Sequence, residues 1–266
     1  MSYLRAFSTL GCPELSLDEV FTLAEHHEIA GIELRVLEGS LDLPAYFNGH
    51  FQTPAKATQH TRARRTKILA LDTSFQLSDP DDSARVDLLK FVPWAEAVGA
   101  PRLRVFDGGK TASDEELERA AATVRWWQEL RRKNGWATDL MIETHDSLFT
   151  TEAIRRFLAH VPDAAILWDA HHTWKHGGED PVATWRAIKE NVVHVHVKDS
   201  VSRPSARHSY TYVLPGCGEF PVAGLTGILK TDGYLGPVSL EWERLWHSYL
   251  PSLAAALVAA NRTRWW

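Results

Sequence analysis

The chain alternates short apolar runs with amphipathic runs from one end to the other, and no other feature constrains its fold as much. Strand-like runs lie at 3–9, 31–36, 67–73, 102–106, 138–143, 164–169, 192–197 and 236–241. Several are rich in Val, Ile and Leu, as strands covered on both faces should be. Between them the spacing changes to that of helices. Ser16-Leu17-Asp18-Glu19 reads as a capping box, with Leu15 and Val20 placed for a hydrophobic staple. Ser113 and Glu116 repeat the box before a longer helix. There Leu117, Ala121, Val124, Trp127 and Leu130 recur at spacings of three and four, and so share one face. Strand and helix repeated eight times predict an α/β fold, a closed parallel (β/α)₈ TIM barrel, with 1–266 as a single domain. A doubly wound open sheet is the alternative, but no Gly-rich phosphate fingerprint follows the first run.

Four of the runs end on a polar residue: Glu143 after TDLMI, Asp169 after AAILW, His196 within VVHVHV and Glu241 after GPVSL. In a parallel barrel the ends of all strands meet at one mouth. Strand alternation tests whether the four side chains share it. His194 and His196 lie on one face of their strand, while Val193, Val195 and Val197 lie on the other and suit the helices. The same parity turns Glu143 and Glu241 inward, with Leu140, Ile142, Val238 and Leu240 outward. Asp169 follows an outward Trp168. Three carboxylates and one imidazole suit Mn²⁺ first, then Mg²⁺, Co²⁺ or Zn²⁺, since structural zinc prefers thiolates and histidines. Such an ion would polarise a carbonyl and stabilise an enediolate, while a neighbouring carboxylate takes the proton.

Charge and composition exclude several classes. With 29 Lys and Arg against 34 Asp and Glu, the net charge of −5 gives no general pull toward nucleic acid or anionic membranes. The basic cluster Arg62, Arg64, Arg65 and Lys67 reads as a solvated helix end. No apolar run approaches the ~18 residues of a bilayer span, and the first residues lack the pattern of a signal peptide. Cys12 and Cys217 are too few for a disulfide framework. The expectation is a cytoplasmic protein with no nucleic-acid or membrane partner, and with the homo-oligomeric state left open. Two long connections, 37–66 and 198–219, both follow a strand and would both lie at the mouth.

Across nearly the whole chain the motifs resemble those of the sugar phosphate isomerase/epimerase family, the xylose-isomerase-like metal-dependent barrels. They run TLGCPELSLDEVFTLAEHHEIAGIELR, MIETH, WDAHH, HVHVKD, LPGCGEF and DGYLGPVSLEWE. The resemblance implies metal ligands at Glu143, Asp169, His196 and Glu241, the quartet already reached from parity. It implies acid and base roles for Glu143 and Glu241, and a substrate contact for His172, three residues past Asp169. The family's substrate arginine falls at Ser202, which makes its neighbour Arg203 the candidate, with Arg207 near.

Other candidates come from position. His145 shares the parity of Glu143 and lies within reach of a substrate. Lys198 would hold a substrate oxygen or pair with Asp199. Trp174 and Trp242 flank the site and would stack on a sugar face. His194 belongs one layer deeper, Glu33 and Arg35 read as an inward ion pair, and His247 reads as part of the mouth. The function expected is a metal-dependent isomerase or epimerase of a small carbohydrate, with a lyase or dehydratase on a keto sugar, cyclitol or glycoside as the alternative. Cleavage of abasic DNA, the activity of a related branch, needs extra histidines on early strands, and ILALDTS and RLRVFDGG carry none.

Overall fold

In a computed structural model that describes residues 3–266, eight parallel strands close into a barrel. They are β1 (Leu4–Ser8), β2 (Gly31–Leu34), β3 (Lys67–Gln76), β4 (Arg102–Phe106), β5 (Asp139–Glu143), β6 (Ile166–Asp169), β7 (Val192–Val197) and β10 (Pro237–Leu240). Each pairs with its sequence neighbour, and β10 closes the ring against β1. The eight predicted runs therefore match the eight barrel strands. Strands β8 (Ser200–Val201) and β9 (Thr211–Tyr212) form a small antiparallel hairpin inside the 198–219 connection.

Among the described residues ten α-helices surround the barrel: α1 (Leu17–His26), α2 (Leu43–Phe51), α3 (Pro54–Thr61), α4 (Asp82–Val98), α5 (Asp114–Asn134), α6 (Thr151–His160), α7 (Ala170–Lys175), α8 (Pro181–Ile188), α9 (Val222–Thr231) and α10 (Leu253–Thr263). The 37–66 connection, read as a long loop, thus carries two helices. The Ser16 box closes as expected, with Ser16 and Glu19 each accepting from the other's backbone N–H. Ser113 caps α5 through Glu116 N, but the Glu116 carboxylate reaches back to Lys110 N and Thr111 N and ties down the preceding loop. A side-chain cap of this kind contributes about 1 kcal/mol.

Two apolar layers follow from the alternation. The large outer layer, between strands and helices, holds Phe7, Phe21, Trp127, Ile142, Trp168, Val195 and Leu240. A small inner cluster of Ala70, Met141 and Leu167 plugs the barrel below the mouth. One parity expectation fails here. Val193 packs on the inner cluster, because Ile166 pairs with Val192 and Leu167 with His194, so that Val193 is skipped in a bulge. Above the bulge the alternation resumes and both histidines point inward. Among the described residues no helix is long and apolar enough to cross a membrane.

Candidate functional site

Polar residues stand directly above the apolar plug, two positions further along the same strands: Asp72 above Ala70, Glu143 above Met141 and Asp169 above Leu167. The four residues at the strand ends converge. Glu143, Asp169, His196 and Glu241 each offer one ligand atom, and these atoms lie within 4.8 Å of one another. All four side chains are buried. Asp169 also caps α7: its Oδ1 accepts from His172 N at 2.8 Å, which leaves Oδ2 to face the cluster.

His196 is held from behind. Its Nε2 lies 2.9 Å from Glu33 Oε2, so the proton sits there and Nδ1 faces Glu241 Oε2 at 3.3 Å and Glu143 Oε1 at 3.6 Å. The other Glu33 oxygen lies 3.2 Å from His194 Nε2, off the line of a good hydrogen bond. The expected Glu33–Arg35 ion pair does not form. Glu33 turns to the two histidines, while Arg35 donates to Ser74 Oγ at 2.7 Å and to Asp72 O.

The electrostatics are those of many charges in little water. Burial raises the Glu143 carboxyl, as does the charge of Glu241, yet Arg104 and His196 hold it below its ordinary value. Burial raises Glu241 too, and there Lys198 and His196 hold it well below. Asp169 goes the other way: burial and the neighbouring carboxylates push it up to about 7 despite Lys198. Burial lowers His196, but Glu33 and Glu241 bring it well above the usual imidazole range.

These residues fit a divalent ion. Glu143 Oε2, Asp169 Oδ2 and His196 Nδ1 are buried and make no well-aligned hydrogen bond, meeting only ion-pair contacts such as Arg104 Nε at 3.3 Å from Glu143 and Lys198 Nζ at 2.8 Å from Asp169. Hard oxygen donors with one imidazole suit such an ion. Lys198 shares two of the oxygens, with Nζ 2.8 Å from Asp169 Oδ2 and bonded to Glu241 Oε2.

A cavity of about 210 Å³ opens above the cluster. Leu10, Arg35, Arg104, Phe106, Glu143, His145, His172, His176, His208, Tyr210, Tyr212, Glu241, Glu243 and Trp246 line it. His172 donates from Nδ1 to Thr144 O, and its Nε2 lies 3.3 Å from Lys198 Nζ. Burial, then the charge of Lys198, lowers its pKa far enough to keep the ring neutral. His145 stands exposed at the rim, its Nδ1 2.9 Å from Asp146. Lys198 is buried and held by Asp169, Glu241 and Glu243, not by Asp199. Asp199 instead accepts from the N–H groups of Gly216, Gly218 and Phe220 and so anchors the 198–219 connection.

Four expected substrate contacts do not line the cavity, the buried Lys198 among them. Trp242 follows Glu241 and therefore points outward, buried in the outer layer with Nε1 donating to Pro251 O. Trp174 packs edge-on against His171 and Phe220 on the outside of α7, with Lys175 above it. Arg203 is exposed on the hairpin, and the guanidinium groups at the cavity belong to Arg35 and Arg104. His247 is buried behind the lining, against His208 and Tyr212.

Several lining residues escaped the sequence reading. Arg104 is buried with Nε 3.3 Å from Glu143, and Asp72 faces it at 3.9 Å. Parity in LALD and RLRVF would have turned both inward. Glu243 shares the parity of Glu241. Tyr212 and His176 had no such signal.

The model for the xylose isomerase-like TIM barrel matches residues 21–262. The chain belongs to that family. No curated protein matches it significantly by sequence. Among solved structures it is similar to the probable 3-DHS dehydratase AsbF of Bacillus anthracis, involved in petrobactin synthesis, with TM-score 0.75 and 19% identity over 98% of this chain and 99% of that one. The IolI protein with a bound zinc atom superposes with TM-score 0.76 and 17% identity, over 98% and 96% of the two chains. D-psicose 3-epimerase in the presence of D-fructose gives TM-score 0.71 and 12% identity, over 98% and 96%. At these identities the likeness shows the family's fold.

Proposed function

We propose that this chain is a metal-dependent isomerase or epimerase of a small carbohydrate, working as one domain. The observation that carries the reading is the convergence of Glu143, Asp169, His196 and Glu241, all buried and with ligand atoms within 4.8 Å of one another, beneath a cavity of about 210 Å³. These four would hold a divalent ion, of which Mn²⁺ is the first candidate and Mg²⁺, Co²⁺ and Zn²⁺ the others. When bound, the ion supplies Lewis-acid polarisation of a substrate carbonyl.

The remaining work falls to the chain's own groups. The Arg104 guanidinium favours the ionised form of Glu143, so its carboxylate is ready to accept a proton from the carbon beside the carbonyl. The Lys198 ammonium orients Glu241 through Oε2. Glu143, protonated by that step, can then return the proton to the same or the neighbouring carbon, with Glu241 as the second carboxylate of the exchange. The Tyr210 and Tyr212 hydroxyl oxygens line the cavity and can accept from substrate hydroxyls.

One observation favours a second reading. Lys198 is a buried ammonium at the edge of the quartet and could protonate a departing hydroxyl, which would turn the same first step into an elimination. The relatives named for a dehydratase and for an epimerase are compatible with either outcome. NMR in heavy water tests the proposal: keto sugars turned over by the Mn²⁺-loaded protein should gain deuterium at one carbon, and Glu143→Gln should abolish this. Turnover with no label at any carbon would sink it, and a growing conjugated-enone absorbance would select elimination.

A further inference from the structure

Arg35 is a buried cation in the cavity lining, with no carboxylate among the described residues at ion-pair distance. The residue is 6% exposed and lines the cavity wall. Its guanidinium donates to two neutral oxygens, Ser74 Oγ at 2.7 Å and Asp72 O at 3.5 Å. Among the described residues no carboxylate lies within 4.0 Å of it. Arg104, beside it, is occupied: it faces Glu143 at 3.3 Å and Asp72 at 3.9 Å and lies over the Phe106 ring. Buried charges are normally paired, because desolvation without a partner costs several kcal/mol. Arg35 has N–H groups beyond those two bonds, and the carboxylates that act on it, of Asp72, Glu143 and Glu241, all do so from beyond ion-pair distance.

We propose that Arg35 anchors a carboxylate of the substrate, so that the carbohydrate turned over at the neighbouring quartet is a sugar acid or a cyclic hydroxy acid. This rests on the proposed function for the location of the substrate, and extends it to the substrate's class. A phosphate could exploit the same charge, but two features favour a carboxylate. A planar guanidinium fork matches a planar carboxylate in two parallel hydrogen bonds. The cavity already holds Glu143, Glu241 and Glu243, so a group of one negative charge enters more easily than one of two. The Gly-rich turn at this end of the barrel has no N–H to spare for phosphate, since Gly216 and Gly218 both donate to Asp199 Oδ2.

Isothermal titration of the Mn²⁺-loaded full-length protein tests the anchor with matched probes. These are D-glucuronate against D-glucose, quinate against its methyl ester, and D-glucose 6-phosphate as the phosphate arm. A charge-assisted bidentate contact should make at least one acid bind about tenfold or more tighter than its neutral partner. Arg35→Met should remove that preference and leave the weaker binding of the neutral partner in place. Arg35→Lys, which keeps the charge and loses the fork, should restore part of it and guards against a folding defect. Acids that bind no better than their neutral partners, a preference that survives Arg35→Met, or tighter binding of the phosphate would each overturn the proposal. Arg35-dependent acid binding without any deuterium exchange would leave the anchor standing and remove the isomerase reading instead.

Discussion

Glu33 offers the sharpest test of how the quartet is held. It is fully buried, and its Oε2 accepts from His196 Nε2 at 2.9 Å while Oε1 faces His194. Burial pushes its carboxyl up, but the two histidines bring it well below the usual range, so it is ionised. An ionised acceptor holds the His196 proton on Nε2, so Nδ1 is the nitrogen that would give up its proton to bind a metal. Glu33→Gln keeps the shape, and its amide oxygen can still accept from His196. What is lost is the difference between a charge-assisted and a neutral hydrogen bond, about 1 kcal/mol. Glu33→Leu removes the acceptor altogether and leaves a buried N–H unsatisfied, which costs about 1–3 kcal/mol.

Metal affinity should fall further than stability, since partners behind a ligand typically contribute about 10–100-fold. We expect about tenfold weaker Mn²⁺ binding for Glu33→Gln and toward a hundredfold for Glu33→Leu, measured by competition with a chelating dye. Urea unfolding of the metal-free proteins gives the stability change separately. Nitrogen-edited NMR of the imidazoles should show His196 losing its fixed Nε2 proton in the Leu variant. Wild-type Mn²⁺ affinity in Glu33→Leu would refute the reasoning, because the tautomer would then be set by something other than Glu33.

Three further outcomes follow from other parts of the molecule. Saturation with a divalent ion at about 100 times its dissociation constant should stabilise the fold by about 2.7 kcal/mol, and so raise the melting temperature by roughly 5–10 °C over EDTA-treated protein. No shift with Mn²⁺, Mg²⁺, Co²⁺ or Zn²⁺ would argue against a metal site. Asp199→Ala should cost about 2–3 kcal/mol and speed proteolysis within 201–217, because Gly216, Gly218 and Phe220 lose their shared acceptor. Unchanged urea stability and cleavage would show that the turn holds itself. Burial pushes the Cys12 thiol up to about 12 while Cys217 is exposed, so Ellman's reagent should label one thiol quickly and the second only on unfolding. Two fast thiols in native protein would contradict the packing around Cys12.

What the sequence revealed follows from strand geometry. In a strand the side-chain period is two, so the position of a residue fixes its direction. That is why Glu143, Asp169, His196 and Glu241 could be brought to one mouth from spacing alone. The same rule places Trp242 outside the barrel, one residue past Glu241, and there nearness in sequence was mistaken for nearness to the site. Val193 shows where parity fails: a bulge inserts a residue and shifts the phase for one step. Arg35 shows a different limit. Its inward direction was legible, but whether it meets Glu33 or Ser74 depends on where strands β2 and β3 stand relative to each other. Tyr210 and Tyr212 arrive on a hairpin whose path no periodicity announces. Arg203, the candidate implied by the family resemblance, is exposed on that same connection.

This division between strands and connections bears on how the site works. The quartet sits on strand ends that are hydrogen-bonded to neighbours on both sides of a closed ring, and every member is buried. Moving one ligand would require breaking the ladder. The groups that would meet the rest of a substrate, His176, His208, Tyr210 and Tyr212, lie on α7 and its flank and on the 198–219 connection. The connection is held by Asp199 and by the Tyr212 hydroxyl, which donates to Glu243 Oε1 at 2.8 Å. Glu243 Oε1 also accepts from Lys198 Nζ at 2.7 Å, and Lys198 reaches Glu241. The hairpin is thus joined to the proposed proton-moving glutamate through one shared carboxylate and one ammonium. A change in the hairpin that pulls Tyr212 from Glu243 would alter the charge around Glu241 while leaving the four ligand positions intact. One rigid frame can in this way serve different chemistries, with the outcome set by the loop above it.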